Sequence, residues 1–228
     1  MSAPINGNVP GAFDTRQASF IAASGILAKV LVDVAAASGN LTGGQRVFDI
    51  AVASTDGAAN ALLLCEGMQL SLYANMGTAT TTATTNTTIT RTVGSFITDG
   101  WLVGDSVMCL GSAGASNNGN VGTITSVTAT TLTLNGVPSG FSANTEGAGF
   151  RLIRVTRRAW VSVPANAGNA TSVSALNANV QVVGQGYDQT KDSTGIELGA
   201  TGLLLVGLYQ AVSALPATVQ VTAKTALR

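Results

Sequence analysis

Apolar and polar residues alternate along most of this sequence, in short runs separated by glycine, asparagine and aspartate. The clearest example covers residues 89–134, where turn residues return at intervals of roughly eight to twelve positions. A period of two with regular turns predicts an antiparallel β-meander, so we expect a compact β-domain in the middle of the chain. Its predicted inward side chains are Phe96, Trp101, Val103, Val107, Leu110, Val121, Ile124, Val127, Leu132 and Leu134.

The segment before this domain predicts three strands. Residues 26–37 fit helical spacing, but their β-branched valines at alternate positions favour a strand. Residues 46–54 and 62–73 also alternate and predict the second and third strands.

The segment after the domain predicts four more strands, at residues 150–163, 173–183, 196–212 and 217–223. Pro216 separates the last two, as expected of a residue that cannot donate to a sheet. Neither flank has enough strands to close a core alone. We therefore expect the flanks to pair across the inserted domain as an all-β, discontinuous β-sandwich or jelly-roll-like domain.

A threonine-rich segment marks the predicted boundary between the two domains. Residues 78–92 contain ten threonines, and this composition predicts an extended connector or an edge strand. The predicted organisation is a β-sandwich domain at 16–77 and 150–228 with a small antiparallel β-domain inserted at 78–149. Residues 1–15 contain two prolines and few apolar anchors, so we expect an extended N-terminal arm that either frays or lies on a neighbouring subunit.

The composition is unusually poor in charge. Charged residues make up 10% of the chain and apolar residues 46%, which argues against disorder. So little charge indicates that neighbouring molecules cover much of the surface. The formal net charge is zero, and phosphate binding needs a basic surplus, so we expect no nucleic-acid partner.

The chain offers little catalytic or metal-binding chemistry. It contains no histidine, which removes the usual general base and the commonest metal ligand. Cys65 and Cys109 are expected to be buried thiols, with a disulfide or a zinc site as the alternative. Asp99 and Asp105 are expected to cap turns. The residues Asp188, Asp192 and Glu197 could gather around calcium, but they lack the spacing of a calcium loop.

No phosphate-binding loop, nucleophile elbow or zinc-protease motif can be written from these residues. We therefore expect no enzymatic activity, no cofactor and no metal site.

Candidate interface residues fall into two groups. Residues 150–163 carry four of the chain's eleven cations, and alternation predicts two on each face of a strand. They either pair with carboxylates on adjacent strands or meet an acidic partner surface. Large aromatic side chains are expected in the core, and any left exposed would be interface anchors. The candidates are Arg151, Arg154, Arg157, Arg158, Trp101, Trp160 and Tyr209.

Three phrases in the inserted domain resemble a known module. GSFITDGWLVGD at 94–105, the Asn/Gly loop at 117–119 and ITSVTATTLTLN at 124–135 are similar to a small β-module that recurs in tail and head proteins of tailed bacteriophages. The resemblance covers residue 88 to about residue 137. The flanks, rich in glycine, alanine and threonine, resemble phage capsid decoration (cement) proteins in style.

This resemblance implies a virion structural protein, with decoration of the outside of the capsid shell as the first expectation. The implied partners are the major capsid protein and further copies of the chain, as a trimer. A tail, neck or collar component is the alternative, followed by a carbohydrate- or receptor-binding virion module. The sequence opens without a signal-peptide pattern and has no apolar run of about 18 residues. We therefore expect synthesis in the bacterial cytoplasm, no membrane partner and a place on the virion surface.

Overall fold

The computed structural model describes residues 11–21, 29–34, 44–83, 87–119, 121–135, 141–168, 176–177, 196–213 and 216–227. In these residues the chain forms strands and two short 3₁₀ turns, so the all-β prediction is confirmed. The strands are β1 Gly11–Ile21, β2 Lys29–Asp33, β3 Gln45–Ser54, β4 Asn60–Leu72, β5 Ala79–Ala83, β6 Thr87–Arg91, β7 Ser106–Leu110, β8 Val121–Val127, β9 Thr131–Asn135, β10 Asn144–Thr145, β11 Arg151–Val163, β12 Leu176–Asn177, β13 Ile196–Leu198, β14 Gly202–Leu208 and β15 Thr218–Leu227.

The chain separates into two compact units. The first comprises Met1–Ile26, Val30–Leu64 and Arg158–Arg228, and the second comprises Leu27–Lys29 and Cys65–Arg157. The boundaries expected from the sequence, at 77/78 and 149/150, both fall inside the second unit. Each unit contains part of β4 and part of β11.

The first unit pairs strands from the two ends of the chain, as predicted. β15 lies between β1 and β3, and β12 and β13 pair with β3. In the register of β15 and β3, Val221 lies opposite Val52. The unit's remaining strands follow the order β11-β4-β14-β2.

One hydrophobic core joins both sets of strands in the first unit, which is the packing expected of a two-layer β-sandwich. Phe20, Ile50 and Val221 contribute from β1, β3 and β15. Leu64 and Val206 contribute from β4 and β14, and all five side chains are buried. A jelly-roll connectivity remains a prediction.

The second unit contains the predicted meander. Its strand order is β10-β5-β6-β9-β8-β7-β11-β4, in which β7, β8 and β9 follow one another in both sequence and space. The pairs β5–β6, β6–β9, β7–β8 and β8–β9 are all antiparallel. The core of this unit is formed by Met76, Ala79, Ile89, Phe96, Trp101, Val107, Cys109, Ile124, Leu132, Leu134, Phe150 and Leu152.

Most of the predicted inward set of this unit lies in its core, but three described members do not. Val103 is 66% exposed, Leu110 is half-buried, and Val127 is half-buried and packs against the core. The prediction for Val103 is wrong because residues 102–105 form a turn, and a turn ends the alternation that places side chains on opposite faces. The side chain of Val121 lies outside the described residues.

The alternation along β4 also changes phase. Leu62 and Leu64 are buried in its first half, whereas Cys65 and Ser71 are buried in its second half. Two consecutive buried residues, at 64 and 65, shift the inward face by one position. Met68 and Leu72, which alternation places on one face with Leu70, are consequently exposed.

The threonine-rich segment is a β-hairpin and not a connector. β5 and β6 pair with each other, β6 also pairs with β9, and β5 also pairs with β10. Threonine hydroxyls meet across the hairpin at 2.5 Å between Thr80 and Thr90, and at 2.7 Å between Thr82 and Thr88. Such cross-strand threonine pairs stabilise a sheet, so this composition is part of the module.

The predicted N-terminal arm is too long. Strand β1 begins at Gly11 and pairs with β15, so residues 11–15 belong to the first unit's sheet. Residues 1–10 lie outside the described part of the chain. Of the strand predicted at 173–183, only Leu176–Asn177 is described, as β12.

Candidate interaction surfaces

Two predicted interface residues lie together in the first unit. The rings of Trp160, on β11, and Tyr209, directly after β14, meet edge to face at a centroid distance of 5.7 Å and an interplanar angle of 80°. Tyr209 is 67% exposed and Trp160 is 36% exposed. An exposed Trp–Tyr pair has the composition of a protein-interaction hot spot.

The chain segment that carries Tyr209 is held in place by hydrogen bonds. The backbone N–H of Tyr209 donates to the carbonyl of Ala61 at 2.9 Å. At the next residue, the Asn60 side-chain amide donates to the Gln210 carbonyl at 2.8 Å, and the Gln210 N–H donates to the Asn60 amide oxygen. The aromatic pair is therefore presented by an ordered backbone, which lowers the entropy lost on binding.

The arginines of β11 that the structure describes bind locally. Arg151 donates to the Gln69 amide oxygen at 3.2 Å. Arg154 lies 3.9 Å from the Asp105 carboxylate and donates to the Met68 sulfur at 3.5 Å. Both side chains are half-buried in the second unit. The side chains of Arg157 and Arg158 lie outside the described residues.

Trp101 is in the core and not at an interface. It is 2% exposed, and its indole N–H donates to the hydroxyl of Ser71 at 2.9 Å. A buried indole needs such a partner, and here the partner lies on β4, 30 positions earlier in the chain. Trp101 is therefore removed from the candidate interface residues.

A buried arginine organises the segment around Trp101. The Arg91 guanidinium donates to the Asp99 carboxylate at 2.5 Å and to the carbonyls of Asn75 and Val93, each at 2.6 Å. Its central carbon lies 4.8 Å from the ring centroid of Phe96, within the range of a cation–π contact. The Ser71 hydroxyl donates to the same Asp99 oxygen. These contacts fix the segment between β6 and β7 at Val93, Phe96 and Asp99.

This segment, residues 92–104, is hereafter the apolar loop, and sequence reasoning missed its surface. Five large apolar side chains in the described residues are more than half exposed, and four of them belong to this loop. The exposed fractions are 58% for Val93, 60% for Ile97, 63% for Leu102 and 66% for Val103. The sequence carries one signal for this loop. Phe96 and Trp101 are five positions apart, so in one continuous strand they would face opposite sides and could not both lie in the same core.

Aspartate and glycine shape the turns of the apolar loop. The Asp105 carboxylate accepts the N–H of Leu102 at 3.0 Å, so the predicted turn-capping role of Asp105 is confirmed. Asp99 instead pairs with Arg91. Gly94 adopts a left-handed φ of 77°, and a side chain there would collide with the Arg91 guanidinium.

A second buried polar cluster surrounds Glu146, which is 2% exposed. Its carboxylate accepts the hydroxyls of Ser112 and Thr81, at 2.8 and 3.1 Å, and the N–H of Ala113 at 2.8 Å. Burial, and then the nearby Glu146 carboxylate, raise the pKa of the Cys109 thiol far above its usual range. The cluster holds the segments at 111–119 and 141–146 against β5.

Both cysteines, Cys65 and Cys109, are buried, as expected, and no disulfide joins them. In the part of the chain that the structure describes, no three histidine, cysteine, aspartate or glutamate side chains form a group suited to a metal ion. Asp188 and Asp192, two members of the weighed calcium set, lie outside that part, and Glu197 is exposed on β13. Among the described residues, no helix has the length and apolar character needed to cross a membrane.

Comparisons with protein-family models, with curated proteins and with solved structures found no match to this chain.

Proposed function

We propose that this chain is a non-enzymatic structural protein of a tailed-bacteriophage virion, which binds the outside of the capsid shell as a decoration protein. The observation that carries the proposal is the resemblance of residues 88–137 to the small β-module of phage head and tail proteins. Binding across joints between capsid subunits would stabilise the shell by mass action, because the bound decoration protein favours the closed shell over the opened one. We include a homo-oligomer in the proposal, since shell sites are symmetric.

The roles of the module's own residues support a structural function. Phe96 and Trp101 fill the core, Asp99 pairs with Arg91, and Asp105 closes a turn. Asn117 is buried and binds the backbone of Ser142. The distinctive residues of the resembling phrases are thus used to build the module, which suits a passive structural part.

The Trp160–Tyr209 pair supports a binding role for the first unit. We propose it as the contact with the major capsid protein, because aromatic side chains on an ordered backbone bind with little loss of entropy. The low charge of the chain favours a partner surface that is likewise mostly uncharged.

The copy number of the chain in purified virions tests this proposal. Quantitative protein gels of particles from a phage that encodes it, scaled to the major capsid protein, should give hundreds of copies. About a dozen copies or fewer would instead favour a neck, collar or tail component, whose rings contain few subunits. This alternative rests on the resemblance of the module to parts of tails as well as heads. Absence from the particle would overturn both.

A binding experiment addresses the surface. The assay uses expanded phage heads from which this chain is absent. The variant Trp160→Ser/Tyr209→Ser should coat these heads less completely than the wild type does. The control Met68→Ser removes an exposed apolar side chain in the second unit and should bind normally. Equal binding of both variants would move the shell contact away from the aromatic pair. Retention of the isolated chain on a glycan surface, lost in the aromatic variant, would favour a carbohydrate-binding role.

A further inference from the structure

The apolar loop concentrates exposed apolar side chains in one short segment of the chain. Isolated apolar side chains on a surface are normal, but a concentration of them marks an interaction site. Here Val93, Ile97, Leu102 and Val103 all lie within thirteen consecutive positions, each more than half exposed.

The exposure of these side chains follows from the fixed backbone of the loop. Arg91 and Asp99 tie the loop to the module, and Phe96 and Trp101 anchor it in the core. Within the loop, the N–H of Trp101 donates to the Phe96 carbonyl and the N–H of Gly100 to the Ile97 carbonyl, both at 3.1 Å. A loop that is ordered before binding loses little conformational entropy when it is covered.

The charge of the loop limits what can cover it. Its sequence, TVGSFITDGWLVG, contains one ionisable residue, Asp99, whose carboxylate is taken up by Arg91 and Ser71. It contains no lysine or arginine, and its one tryptophan is buried, so it lacks the basic and aromatic residues that favour a lipid surface.

A neutral apolar surface is suited to a second copy of itself. In a symmetric contact each surface meets its own copy, so charged groups near the axis would face like charges. The apolar loop itself brings no such charge to the contact, and the adjoining Asp105 carboxylate, which accepts the Leu102 N–H, lies 3.9 Å from the Arg154 guanidinium. We infer that the apolar loop mediates contact between copies of this chain, through the side chains of Val93, Ile97, Leu102 and Val103.

The size of the surface sets the strength of this contact. A fully exposed aliphatic side chain offers roughly 100 Å² of apolar area, so the four offer on the order of 250 Å² per copy. Stable dimers usually bury about 800 Å² per partner. The self-association in solution is therefore reversible and dependent on concentration. The inference deepens the proposed function and rests on it for the expectation of an oligomer on the shell, where neighbouring copies are held close together.

Sedimentation velocity of the full chain over a concentration series tests the inference. The wild type should shift from monomer toward oligomer as concentration rises, and Leu102→Ser/Val103→Ser should weaken this association at least tenfold. Ile21→Ser removes an exposed apolar side chain in the first unit and should associate like the wild type. Circular dichroism checks that each variant is folded. A wild type that stays monomeric throughout, or a loop variant that associates unchanged, would overturn the inference.

Cross-linking gives a second readout, because both native thiols are buried and the pKa of Cys109 is raised. Leu102→Cys should yield covalent dimers with a short bis-maleimide, and Ile21→Cys, in the first unit, should not. Equal yields would overturn the contact. Sedimentation of the wild type with anionic phospholipid vesicles, lost in the loop variant, would assign the surface to lipid and overturn it as well.

These results separate the two proposals. A monomeric chain that still coats particles in hundreds of copies would overturn the self-contact alone. A self-associating chain that is absent from particles would overturn the proposed function alone.

Discussion

At the scale of single residues, a few buried polar side chains hold several segments of the chain together. Arg91 has a side chain that is 1% exposed, and it satisfies one carboxylate and two backbone carbonyls. Such a group is costly to bury and more costly to leave without partners. In this chain the cost is offset by the ion pair with Asp99, by the hydrogen bonds to the two carbonyls and by the contact with the Phe96 ring.

Replacement of this arginine should destabilise the second unit strongly. Arg91→Gln would remove the ion pair of the buried network with Asp99 and the guanidinium donors to two carbonyls, and we expect a loss of about 3 kcal/mol in the free energy of unfolding. Urea denaturation measures it. The matched control is Arg154→Gln. Arg154 is partly exposed, and its distance of 3.9 Å from the Asp105 carboxylate is long for an ion pair, so the effect should stay below about 1 kcal/mol. Similar losses in both variants would contradict the role given to Arg91.

Asp56 should make the first unit sensitive to acid. Its carboxylate accepts the hydroxyl and N–H of Ser213 and the N–H of Ala58. The Ser213 hydroxyl contributes most to lowering the pKa of Asp56 below its usual value of 3.8. A carboxyl whose pKa is lower in the folded state stabilises the fold above the unfolded pKa, and this contribution is lost as pH falls through the folded pKa.

Asp56→Asn should therefore lower the melting temperature at pH 7, and the difference from the wild type should shrink below about pH 4. Calorimetry at the two pH values measures this. Asp49→Asn is the control, because Asp49 pairs with the exposed Lys224 and should contribute little. A deficit of Asp56→Asn that stayed constant with pH would show that charge is not what stabilises this turn.

At the scale of elements, the positions of most strands could be predicted from the sequence, but the sheet partners of the threonine-rich segment could not. Residues 46–54 and 150–163 alternate cleanly, and they form β3 and β11 within one residue of the predicted bounds. The threonine-rich segment has the right propensity, but only its hydrogen bonds to β9 and β10 show that it lies inside a sheet. Propensity is local, whereas the choice between a connector and a hairpin depends on partners distant in sequence.

The Glu146 cluster joins elements that propensity does not connect. In Glu146→Gln one carboxylate oxygen is replaced by an NH₂ group, which donates and cannot accept, so either the Ala113 N–H or the hydroxyls of Ser112 and Thr81 lose their acceptor. We expect a loss of about 2 kcal/mol and faster hydrogen exchange at Ala113. Exchange at Thr131, on β9, serves as the internal reference, and uniform acceleration at both sites would instead indicate general destabilisation.

At the scale of the whole molecule, the position of the unit boundaries has a direct consequence. A fragment of residues 65–157 contains the complete core of the second unit and should fold alone. A fragment of residues 78–149 lacks Met76, Phe150 and Leu152 from that core and Ser71 from the Asp99–Trp101 contacts, so it should remain largely unfolded. Thermal melts followed by circular dichroism compare the two. Equal cooperative melting would favour the shorter domain.

The sequence by itself determined the all-β class, most strand positions, the pairing of the two flanks and the buried state of both cysteines. These features follow from alternation and composition, which are local. The inward position of Trp101 was expected from the sequence, but tertiary structure alone supplied its hydrogen-bond partner on β4, directed Val103 outward and placed the boundary of the units within β4. Each depends on contacts between distant residues, such as Trp101 with Ser71 and Arg91 with Asp99, and no local period encodes where a turn directs its side chains.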